Sequence, residues 1–312
     1  MISTPDTARR LQLDEVNRRM AADPVAFVNE ECARYRAEVE QAAQWLNDEH
    51  VRRRVLLLSG PSSSGKTSTA CLLRDRLRQG GADAYVVSID NFYLGRGQAP
   101  RLPDGNLDYE SPEALNLPLL AECVRGLLED GHAALPEYDF QAGAPRPERV
   151  ELTLKSRSVV IFEGIHALHP YLRERLPRKH VKRMLVCAQS AFYDGERELL
   201  DGRRLRLARR LVRDERHRNS SAENTLGMWP QVVRGEELYL FPHADGADRV
   251  IDTTHAFEPC LLTGRLLPLL ETVSPSDPHY ETAQALRAVM ARFDAADAAL
   301  LPPESILHEF LD

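Results

Sequence analysis

The chain has 312 residues, of which 43% are hydrophobic and 28% charged, an ordinary composition for a soluble globular protein. Its net charge of −7 argues against general binding to nucleic acid or to anionic membranes, so neither is an expected partner. No apolar run approaches the length of a membrane span, the N-terminus has no signal-peptide pattern, and the five cysteines are scattered. These features predict a cytoplasmic protein with reduced thiols.

The first 50 residues are predicted to form a helical extension in front of the main domain. Apolar residues recur at helical spacing, and Pro24 after Asp23 suits the first turn of a helix that runs to about residue 48. Nothing in this segment indicates chemistry. Packing, or contact between copies of the chain in a homo-oligomer, is the expected role.

Residues 55–69 organise the chain. An apolar run at residues 55–58 predicts a buried strand, residues 60–67 have the spacing G-x-x-x-x-G-K-[ST] of a phosphate-binding loop, and a helical pattern follows. The glycines permit backbone dihedrals that turn successive N–H groups toward a phosphate, and the positive end of the helix faces the same anion. The pattern places Lys66 at the β- and γ-phosphates and the Thr67 hydroxyl on Mg²⁺.

We therefore predict a site for a nucleoside triphosphate with Mg²⁺. The expected nucleotide-binding residues are Gly60, Pro61, Ser62, Ser63, Ser64, Gly65, Lys66, Thr67 and Ser68.

Two further apolar runs end in an acid. Residues 84–90 predict a second parallel strand that ends at Asp90, and residues 158–163 predict a buried strand that ends at Glu163. Because ligands of open parallel sheets gather beyond the carboxyl ends of the strands, both carboxylates are expected near the phosphates and Mg²⁺. A capping or turn role for Asp90 is the alternative. The predicted metal-binding residues are Thr67, Asp90 and Glu163.

Polar loops and two aromatic residues lie between these strands. Residues 95–112 are rich in Gly, Pro and Asp and predict a loop over the site, and a helical pattern follows at residues 115–128. Tyr138 and Phe140 stand beside a turn rich in Pro and Gly. They could stack on a planar base or anchor the loop on the core, and composition alone favours the anchor.

The densest positive charge lies at residues 203–214, where leucines alternate with arginines and predict an amphipathic helix. Arg206, Arg210 and Arg213 share one face, with Arg209 at its margin. Three interpretations stay open: a solvated face or ion-pair network, a nucleic-acid patch, or a lid that supplies guanidinium groups to a transferring phosphoryl group. The acidic chain weakens the second interpretation, and the phosphate loop strengthens the third.

The complete pattern predicts an α/β P-loop NTPase fold. Apolar runs at residues 184–188 and 249–253 bring the doubly wound, mostly parallel sheet to about five strands, flanked by helices. A helical lid and terminal helical extensions complete the prediction, with a helix at about residues 280–293 and a last helical piece at 306–311.

Six blocks in this order resemble the uridine kinase and phosphoribulokinase family of P-loop kinases, and most closely its uridine kinase branch. The resemblance covers roughly residues 53–255 and rests on GPSSSGKT (60–67), SIDNFY (88–93), NLDYESPEAL (106–115), YDF (138–140) followed by Arg146, VVIFEGIHAL (159–168) and RLARRLVRD (206–214). It implies a kinase domain at residues 51–272, between an N-terminal helical extension (1–50) and a C-terminal helical tail (273–312).

The resemblance also implies an activity, namely ATP-dependent phosphorylation of an alcohol, with a uridine- or cytidine-like nucleoside as the acceptor and Mg²⁺ as the cofactor. In it, Asp90 matches the acid that takes the proton from the acceptor hydroxyl, and Asp108 the acid that holds the ribose hydroxyls. Glu163 matches the acid at the magnesium and acceptor site.

Other site residues follow from the same resemblance. Those that enclose the acceptor are Tyr93, Tyr138 and Phe140, with Arg146 beside them. The lid arginines that meet the phosphates or the acceptor are Arg206, Arg209, Arg210 and Arg213. With Lys66 and Asp90, Arg206, Arg209 and Arg213 form the expected catalytic set.

Two departures from the family pattern concern the acceptor. Uridine kinases usually carry a histidine just beyond the YDF block, whereas residues 141–145 contain none. Residues 219–242 differ from the compact uridine kinases and resemble a bacterial uridine-kinase-like subgroup. The alternatives are therefore a kinase of a sugar, polyol or pantothenate-like alcohol, or a P-loop ATPase that acts on or is regulated by nucleic acid.

Overall fold

The computed structural model describes residues 8–47, 53–103, 105–155 and 157–312. Its strands are β1 (Arg10–Gln12), β2 (Arg53–Ser59), β3 (Asp83–Ser88), β4 (His132–Leu135), β5 (Tyr138–Asp139), β6 (Ala144–Pro145), β7 (Val150–Thr153), β8 (Ser158–Glu163), β9 (Val181–Cys187), β10 (Ala191–Asp194), β11 (Arg197–Leu200) and β12 (Arg249–Asp252). Its α-helices are α1 (Leu13–Ala22), α2 (Pro24–Leu46), α3 (Lys66–Gln79), α4 (Leu117–Glu129), α5 (Pro170–Arg175), α6 (Gly202–Arg218), α7 (Ala222–Tyr239), α8 (Glu258–Glu271), α9 (Tyr280–Met290) and α10 (His308–Leu311).

A five-stranded, fully parallel sheet in the order β12-β9-β2-β8-β3 forms the centre of the fold. All five strands were predicted from apolar runs, and the α/β P-loop fold class is confirmed. The register places Glu163 of β8 level with Leu58 of β2 and Ser88 of β3. The carboxyl ends of these three strands therefore form one edge, from which the phosphate loop begins.

Helices cover both faces of the sheet, which explains why its strands are continuously apolar. Leu56 and Leu58 of β2 are fully buried in the core on one face, and Val55 and Leu57 in the core on the other. Burial of each such side chain is worth about 1.5–3 kcal/mol. A strand with helices on both sides has no solvated face, so it shows no alternation of apolar and polar residues.

The N-terminal helices belong to the same body as the sheet. Helix α2 begins at Pro24 as predicted, and the carboxylate of Asp23 accepts a hydrogen bond from the N–H of Ala26 at 2.9 Å. The last described helical residue is Leu46, and the predicted end at residue 48 lies outside the described residues. The hydroxyl groups of Tyr35 and Thr69 are 2.6 Å apart and join α2 to α3.

The C-terminal residues fold back onto the same core. Helix α9 occupies most of the predicted segment at residues 280–293, and Ile306 and Phe310 are buried near the end of the chain. One continuous apolar core contains residues from all three predicted domains, so the boundaries at residues 50 and 272 stay predictions. In the described part of the chain, no helix is both long enough and apolar enough to span a membrane.

Candidate active site

The phosphate loop connects β2 to α3, and glycine is required at both of its ends. A Cβ at Gly60 would lie 2.1 Å from the backbone oxygen of Val186 in β9, so only glycine fits this close approach. Gly65 has φ +81°, in the left-handed region, and α3 begins directly after it at Lys66. The loop therefore leads into the N-terminus of a 14-residue helix, the arrangement that binds phosphate groups.

Lys66, Thr67 and Glu163 meet at the carboxyl edge of the sheet. The ammonium group of Lys66 donates to the carbonyl oxygen of Pro61 at 3.1 Å, and the Thr67 hydroxyl donates to Glu163 Oε1 at 3.3 Å. Burial raises the pKa of the Glu163 carboxyl, while Lys66 counteracts this and Asp90 adds to it. The strand end thus brings a carboxylate to the first residues of the phosphate-binding helix, as predicted from the apolar run.

Asp90 lies in a short 3-10 turn, Ile89–Phe92, directly after β3. The Ser88 hydroxyl accepts from the backbone N–H of Asp90 at 3.3 Å and caps this turn, so the Asp90 carboxylate is not the cap. Burial raises the pKa of Asp90, and the positive charges of Lys66 and Arg218 oppose the rise. Its carboxylate therefore interacts electrostatically with the phosphate-loop lysine, which is the neighbourhood expected of a base near the phosphates.

The three predicted aromatic residues form a row beside this acid. Ring centroids are 5.8 Å apart between Tyr93 and Tyr138, and 5.1 Å apart between Tyr138 and Phe140. Asn91, one residue after Asp90, accepts from the N–H of Tyr138 through its side-chain oxygen at 3.3 Å. Phe140 is 65% exposed, so it does not anchor its loop in the core, contrary to the interpretation that composition favoured.

Asp108 is buried, and side chains of the protein already bind its carboxylate. Oδ2 accepts from the Tyr239 hydroxyl at 3.0 Å and from Arg234 at 3.4 Å, and both donors belong to α7. Arg146 lies on the surface and forms an ion pair of 3.6 Å with Glu137. Asp108 is therefore preorganised by a helix from the segment that departs from the compact uridine kinases.

Helix α6 includes the predicted arginine-rich segment, but it is a core helix. Arg206 is almost fully buried and makes a bidentate ion pair with Glu236 of α7, at 2.7 and 2.8 Å. It also donates to the carbonyl oxygen of Ser62 at 2.9 Å, and the N–H of Ser62 donates to Glu236 at 2.9 Å. The ion pair therefore binds both the carbonyl oxygen and the N–H of Ser62 in the phosphate loop.

Arg209 makes an equivalent set of contacts on the next residue of the loop. It forms a bidentate ion pair with Glu258 of α8 and donates to the carbonyl oxygens of Ser63, at 3.2 Å, and Thr253, at 2.9 Å. The Phe310 ring centroid lies 5.1 Å from its guanidinium carbon. The expectation of lid guanidinium groups free to meet phosphates therefore needs correction for Arg206 and Arg209, because carboxylates and carbonyl groups already satisfy them.

The other two arginines of the predicted set are less deeply placed. Arg210 donates to the Ser62 hydroxyl at 2.8 Å and lies 3.2 Å from Asp214, and Arg213 pairs with Asp214 at 2.7 Å. Of the three interpretations, the ion-pair network describes α6 best. Direct phosphate contact by Arg210 and Arg213 stays a prediction.

Four acids of this site were not predicted from the sequence. Glu236 and Glu258 neutralise the buried arginines, and Glu110 lies in the loop over the site, where burial and the Glu236 carboxylate raise its pKa to about 7. Glu309 of the C-terminal tail accepts from the Ser68 hydroxyl at 2.5 Å. No spacing rule in the sequence identifies these acids.

The fold and the site define a P-loop kinase. A family model described as Phosphoribulokinase / Uridine kinase family matches residues 55–185. The uridine kinase of Deinococcus deserti is 30% identical over 214 residues, which cover 68% of this chain and 93% of that protein. The chain therefore belongs to the phosphoribulokinase and uridine kinase family, as the six sequence blocks predicted.

Other relatives show the breadth of this similarity. The uridine kinase of Lactobacillus johnsonii is 27% identical and covers 70% of this chain and 96% of its own length. The longer uridine kinase of Saccharomyces cerevisiae is 28% identical, and the match covers 63% of this chain and 36% of that protein. These relatives are kinases, and P-loop kinases use ATP, so the chain is a phosphotransferase of this type.

Two solved structures of kinases are similar to much of this chain at low sequence identity. A phosphoribulokinase from Rhodobacter spheroides has a TM-score of 0.45 and 16% identity, and covers 66% of this chain and 74% of that one. A D-glycerate 3-kinase from Cryptococcus neoformans has a TM-score of 0.39 and 20% identity, and the match covers 70% of this chain and 88% of that one.

Proposed function

We propose that the protein phosphorylates the 5′-hydroxyl of a uridine- or cytidine-like nucleoside with ATP. The observation that supports this most is the position of Asp90. Its carboxylate interacts with the phosphate-loop lysine on one side, and Tyr93, three residues later, begins the aromatic row on the other. A hydroxyl group on a planar, stackable acceptor would thus lie between the base and the phosphates.

In this proposal the loop amides and Lys66 bind the ATP phosphates, and the two arginine–glutamate pairs keep the loop in shape. Arg206 and Arg209 hold the carbonyl oxygens of Ser62 and Ser63. These contacts fix the course of the loop in front of α3. Positioning and charge neutralisation supply most of the catalysis of phosphoryl transfer, so a rigid loop serves the reaction directly.

The residues at the strand ends fit a magnesium ion. Thr67 and Glu163 supply hard oxygen atoms 3.3 Å apart, and Asp90 supplies another carboxylate near Lys66. Within the described ranges, no group of three or more His, Cys, Asp or Glu side chains could hold a metal by itself. This agrees with Mg²⁺, which binds one or two protein ligands together with phosphate oxygens and water, and neutralises charge on those oxygens.

Asp90 accepts the proton of the acceptor hydroxyl. Its raised pKa makes the carboxylate a better proton acceptor than a solvated aspartate, while Lys66 helps to keep it ionised. The row of Tyr93, Tyr138 and Phe140 offers a stacking surface, and Asp108 provides an acceptor for vicinal hydroxyl groups. Tyr239 and Arg234 orient that carboxylate before the substrate arrives.

A kinase of another small alcohol is the second candidate. Two observations favour it: residues 141–145 contain no histidine, and the Asp108 oxygen that would bind a ribose already accepts two hydrogen bonds. A sugar or polyol needs no aromatic row, however. The exposed ring of Phe140 therefore supports the nucleoside.

The location and partners belong to the same proposal. All five cysteines, which lie within the described residues, are free thiols, and the net charge is −7. These features support a cytoplasmic enzyme without a nucleic-acid partner. Assembly into a homo-oligomer stays a prediction.

The test is ADP release with Mg-ATP across a panel of nucleosides, sugars and polyols, with mass spectrometry of each product. We expect uridine or cytidine to stimulate ADP release and to gain the mass of one phosphate. Stimulation by a sugar or polyol alone would support the same phosphoryl-transfer mechanism but show that the acceptor is not a nucleoside. ADP release that no small alcohol stimulates would overturn the kinase assignment and favour an ATPase.

A further inference from the structure

Glu110 is an acid of the candidate active site that has no assigned role in the reaction. It lies two residues after Asp108, and its backbone N–H donates to Asp108 Oδ1 at 3.2 Å. The Tyr93 hydroxyl donates to the carbonyl oxygen of Tyr109, the residue between these two acids, at 3.1 Å. The backbone before Glu110 is therefore fixed between the acid proposed to bind ribose and the first ring of the aromatic row.

The carboxyl group of Glu110 lies among the charged residues of the site. It interacts electrostatically with four charged side chains, those of Glu236, Arg210, Asp90 and Lys66. Its own charge acts on Tyr93, where burial, Asp90 and Glu110 together raise the pKa of the hydroxyl. One side chain thus neighbours the proposed base, the phosphate-loop lysine and the aromatic row.

Helix α7 leaves room for this side chain at one glycine. Gly235 is buried inside the helix, and a Cβ at this position would lie 2.5 Å from Glu110 Cβ and 2.9 Å from Glu110 Cγ. Glycine is unfavourable in the interior of a helix, because it loses more backbone freedom than any other residue. The close approach of Glu110 explains why glycine occupies this position.

The Glu110 carboxylate has no partner in the protein. It forms no hydrogen bond and no ion pair with any residue in the described ranges, since Arg210 pairs with Asp214 at 3.2 Å. Glu110 is only partly exposed, yet both of its carboxylate oxygens keep accessible surface. A largely buried carboxylate is unfavourable unless a donor binds it. A hydroxyl group of a bound molecule could reach these oxygens and supply that donor.

We infer that Glu110 binds a hydroxyl group of the phosphate acceptor and thereby selects acceptors without a negative charge. The inference rests on the proposed function, because it adds a residue to the same acceptor site. With Asp90 and Asp108, Glu110 brings three carboxylates to this site. They accept hydrogen bonds from hydroxyl groups and repel phosphate or carboxylate groups. The substrate class is therefore an uncharged polyhydroxyl compound, a nucleoside or a sugar, and not a sugar phosphate or a pantothenate-like acid.

The test compares pairs of acceptors that differ by one anionic group and share a free primary hydroxyl. The pairs are uridine with uridine 3′-monophosphate, and ribose with ribonate. The assays are run at pH 8, above the pKa of about 7 to which burial and the Glu236 charge raise Glu110. We expect the wild type to have a kcat/KM at least about tenfold higher for the uncharged member of a pair.

Glu110→Gln removes the charge with little change in shape. It should raise the KM for the uncharged acceptor about tenfold or more, because a hydrogen bond to a charged group is lost. It should also lower the preference over the anionic acceptor about tenfold. We expect kcat and the affinity for ADP to change less than about threefold, since the base and the phosphate loop are intact. The matched control is Glu113→Gln, an exposed acid three residues further on.

A second variant moves the carboxylate without removing its charge. The methyl group of Gly235→Ala would displace Glu110, so the KM for the uncharged acceptor should rise again while the affinity for ADP is kept. An unchanged KM and an unchanged preference in Glu110→Gln would overturn the inference. Weaker Mg-ADP binding by Glu110→Gln with an unchanged KM would also overturn it, and would assign the carboxylate to the metal.

Failure of the proposed function gives a different result. Phosphorylation of ribose but not of uridine would show that the acceptor is not a nucleoside, and the ribose and ribonate pair would still test Glu110. Normal phosphorylation of uridine by wild type and Glu110→Gln alike would keep the proposed function and refute the role of Glu110. Phosphorylation of none of the four compounds would overturn both.

Discussion

Arg206 and Glu236 form a bidentate ion pair inside the protein, and the same two side chains hold both backbone groups of Ser62. Arg206 belongs to α6, which the sequence pattern marks as amphipathic, and Glu236 belongs to α7, which comes from the segment at residues 219–242. Both helices therefore fix the shape of the phosphate loop. The pair is fully desolvated, so each charge depends on the other.

Removal of one partner of this pair should be much worse than removal of both. Arg206→Met leaves Glu236 as a buried, unpaired charge and should lower the free energy of unfolding by about 3–5 kcal/mol. The double variant R206M/E236M removes both charges and should recover much of that loss. Urea unfolding monitored by circular dichroism measures all three proteins. Additive losses in the double variant would show that the two side chains act independently.

Asp90→Asn should separate chemistry from nucleotide binding. Removal of a general base typically costs about 10²- to 10⁴-fold in rate, so turnover should fall by that range. The affinity for ADP should stay within about twofold, because the loop amides and Lys66 are unchanged. The control is Asp139→Asn, since the carboxylate of Asp139 binds backbone N–H groups of its own turn. Near-normal turnover by Asp90→Asn would refute the assignment of Asp90 as the general base.

Glu110 predicts a pH dependence of stability. Burial and the Glu236 charge raise its pKa from 4.5 to about 7 in the folded protein. A carboxyl with a raised folded-state pKa stabilises fully below its unfolded value, and this contribution is lost as the pH rises through 7. Glu110→Gln should therefore gain stability relative to the wild type between pH 5 and pH 8, by at most about 3 kcal/mol. Thermal unfolding of both proteins at pH 5 and pH 8 measures this change. The prediction would be wrong if the difference in stability between Glu110→Gln and the wild type were the same at both pH values.

The C-terminal tail should oppose nucleotide binding through one charge. Glu309 accepts from the Ser68 hydroxyl, in the first turn of α3, where a phosphate group would lie. A carboxylate about 5 Å from a phosphate costs on the order of 1 kcal/mol at high effective dielectric. Glu309→Gln should therefore lower the Kd for ADP about 3- to 10-fold, whereas Glu304→Gln, on the exposed part of the tail, should not. Weaker ADP binding by Glu309→Gln would instead indicate a supporting contact.

Phe140→Ala should reveal whether the acceptor stacks. The ring is 65% exposed, so its removal should hardly change the free energy of unfolding. A stacked base contributes about 1–3 kcal/mol, so the KM for uridine should rise about tenfold or more while kcat changes little. Val150→Ala, another exposed apolar residue, is the control. An unchanged KM would remove the aromatic row from the acceptor site.

Local patterns in the sequence were sufficient for the fold and for the centre of the site. A buried parallel strand needs a continuous apolar run, and a phosphate loop needs glycine where φ is positive or a backbone passes close by. Both requirements are written into consecutive residues around Gly60 and Gly65. Asp90 and Glu163 follow their strands directly, so the geometry of a parallel sheet brings them to one edge.

The partners of the arginines could not be predicted in this way. Arg206 and Arg209 occupy adjacent turns of an amphipathic pattern that a solvated lid and a buried helix share. Whether this helix is buried or solvated depends on Glu236, which lies 30 residues beyond Arg206, and on Glu258, which lies 49 residues beyond Arg209. Packing of α7 and α8 alone brings these charges together, and no local periodicity specifies it.

The sequence by itself determined the sheet, the phosphate loop and the acids at the strand ends, because each depends on neighbouring residues. Only the tertiary structure decided that the tail reaches Ser68 through Glu309, and that Arg206 and Arg209 lie buried against Glu236 and Glu258. These features depend on where distant segments meet. The sequence around a charged residue does not show whether the folded protein pairs that charge with another or exposes it to solvent.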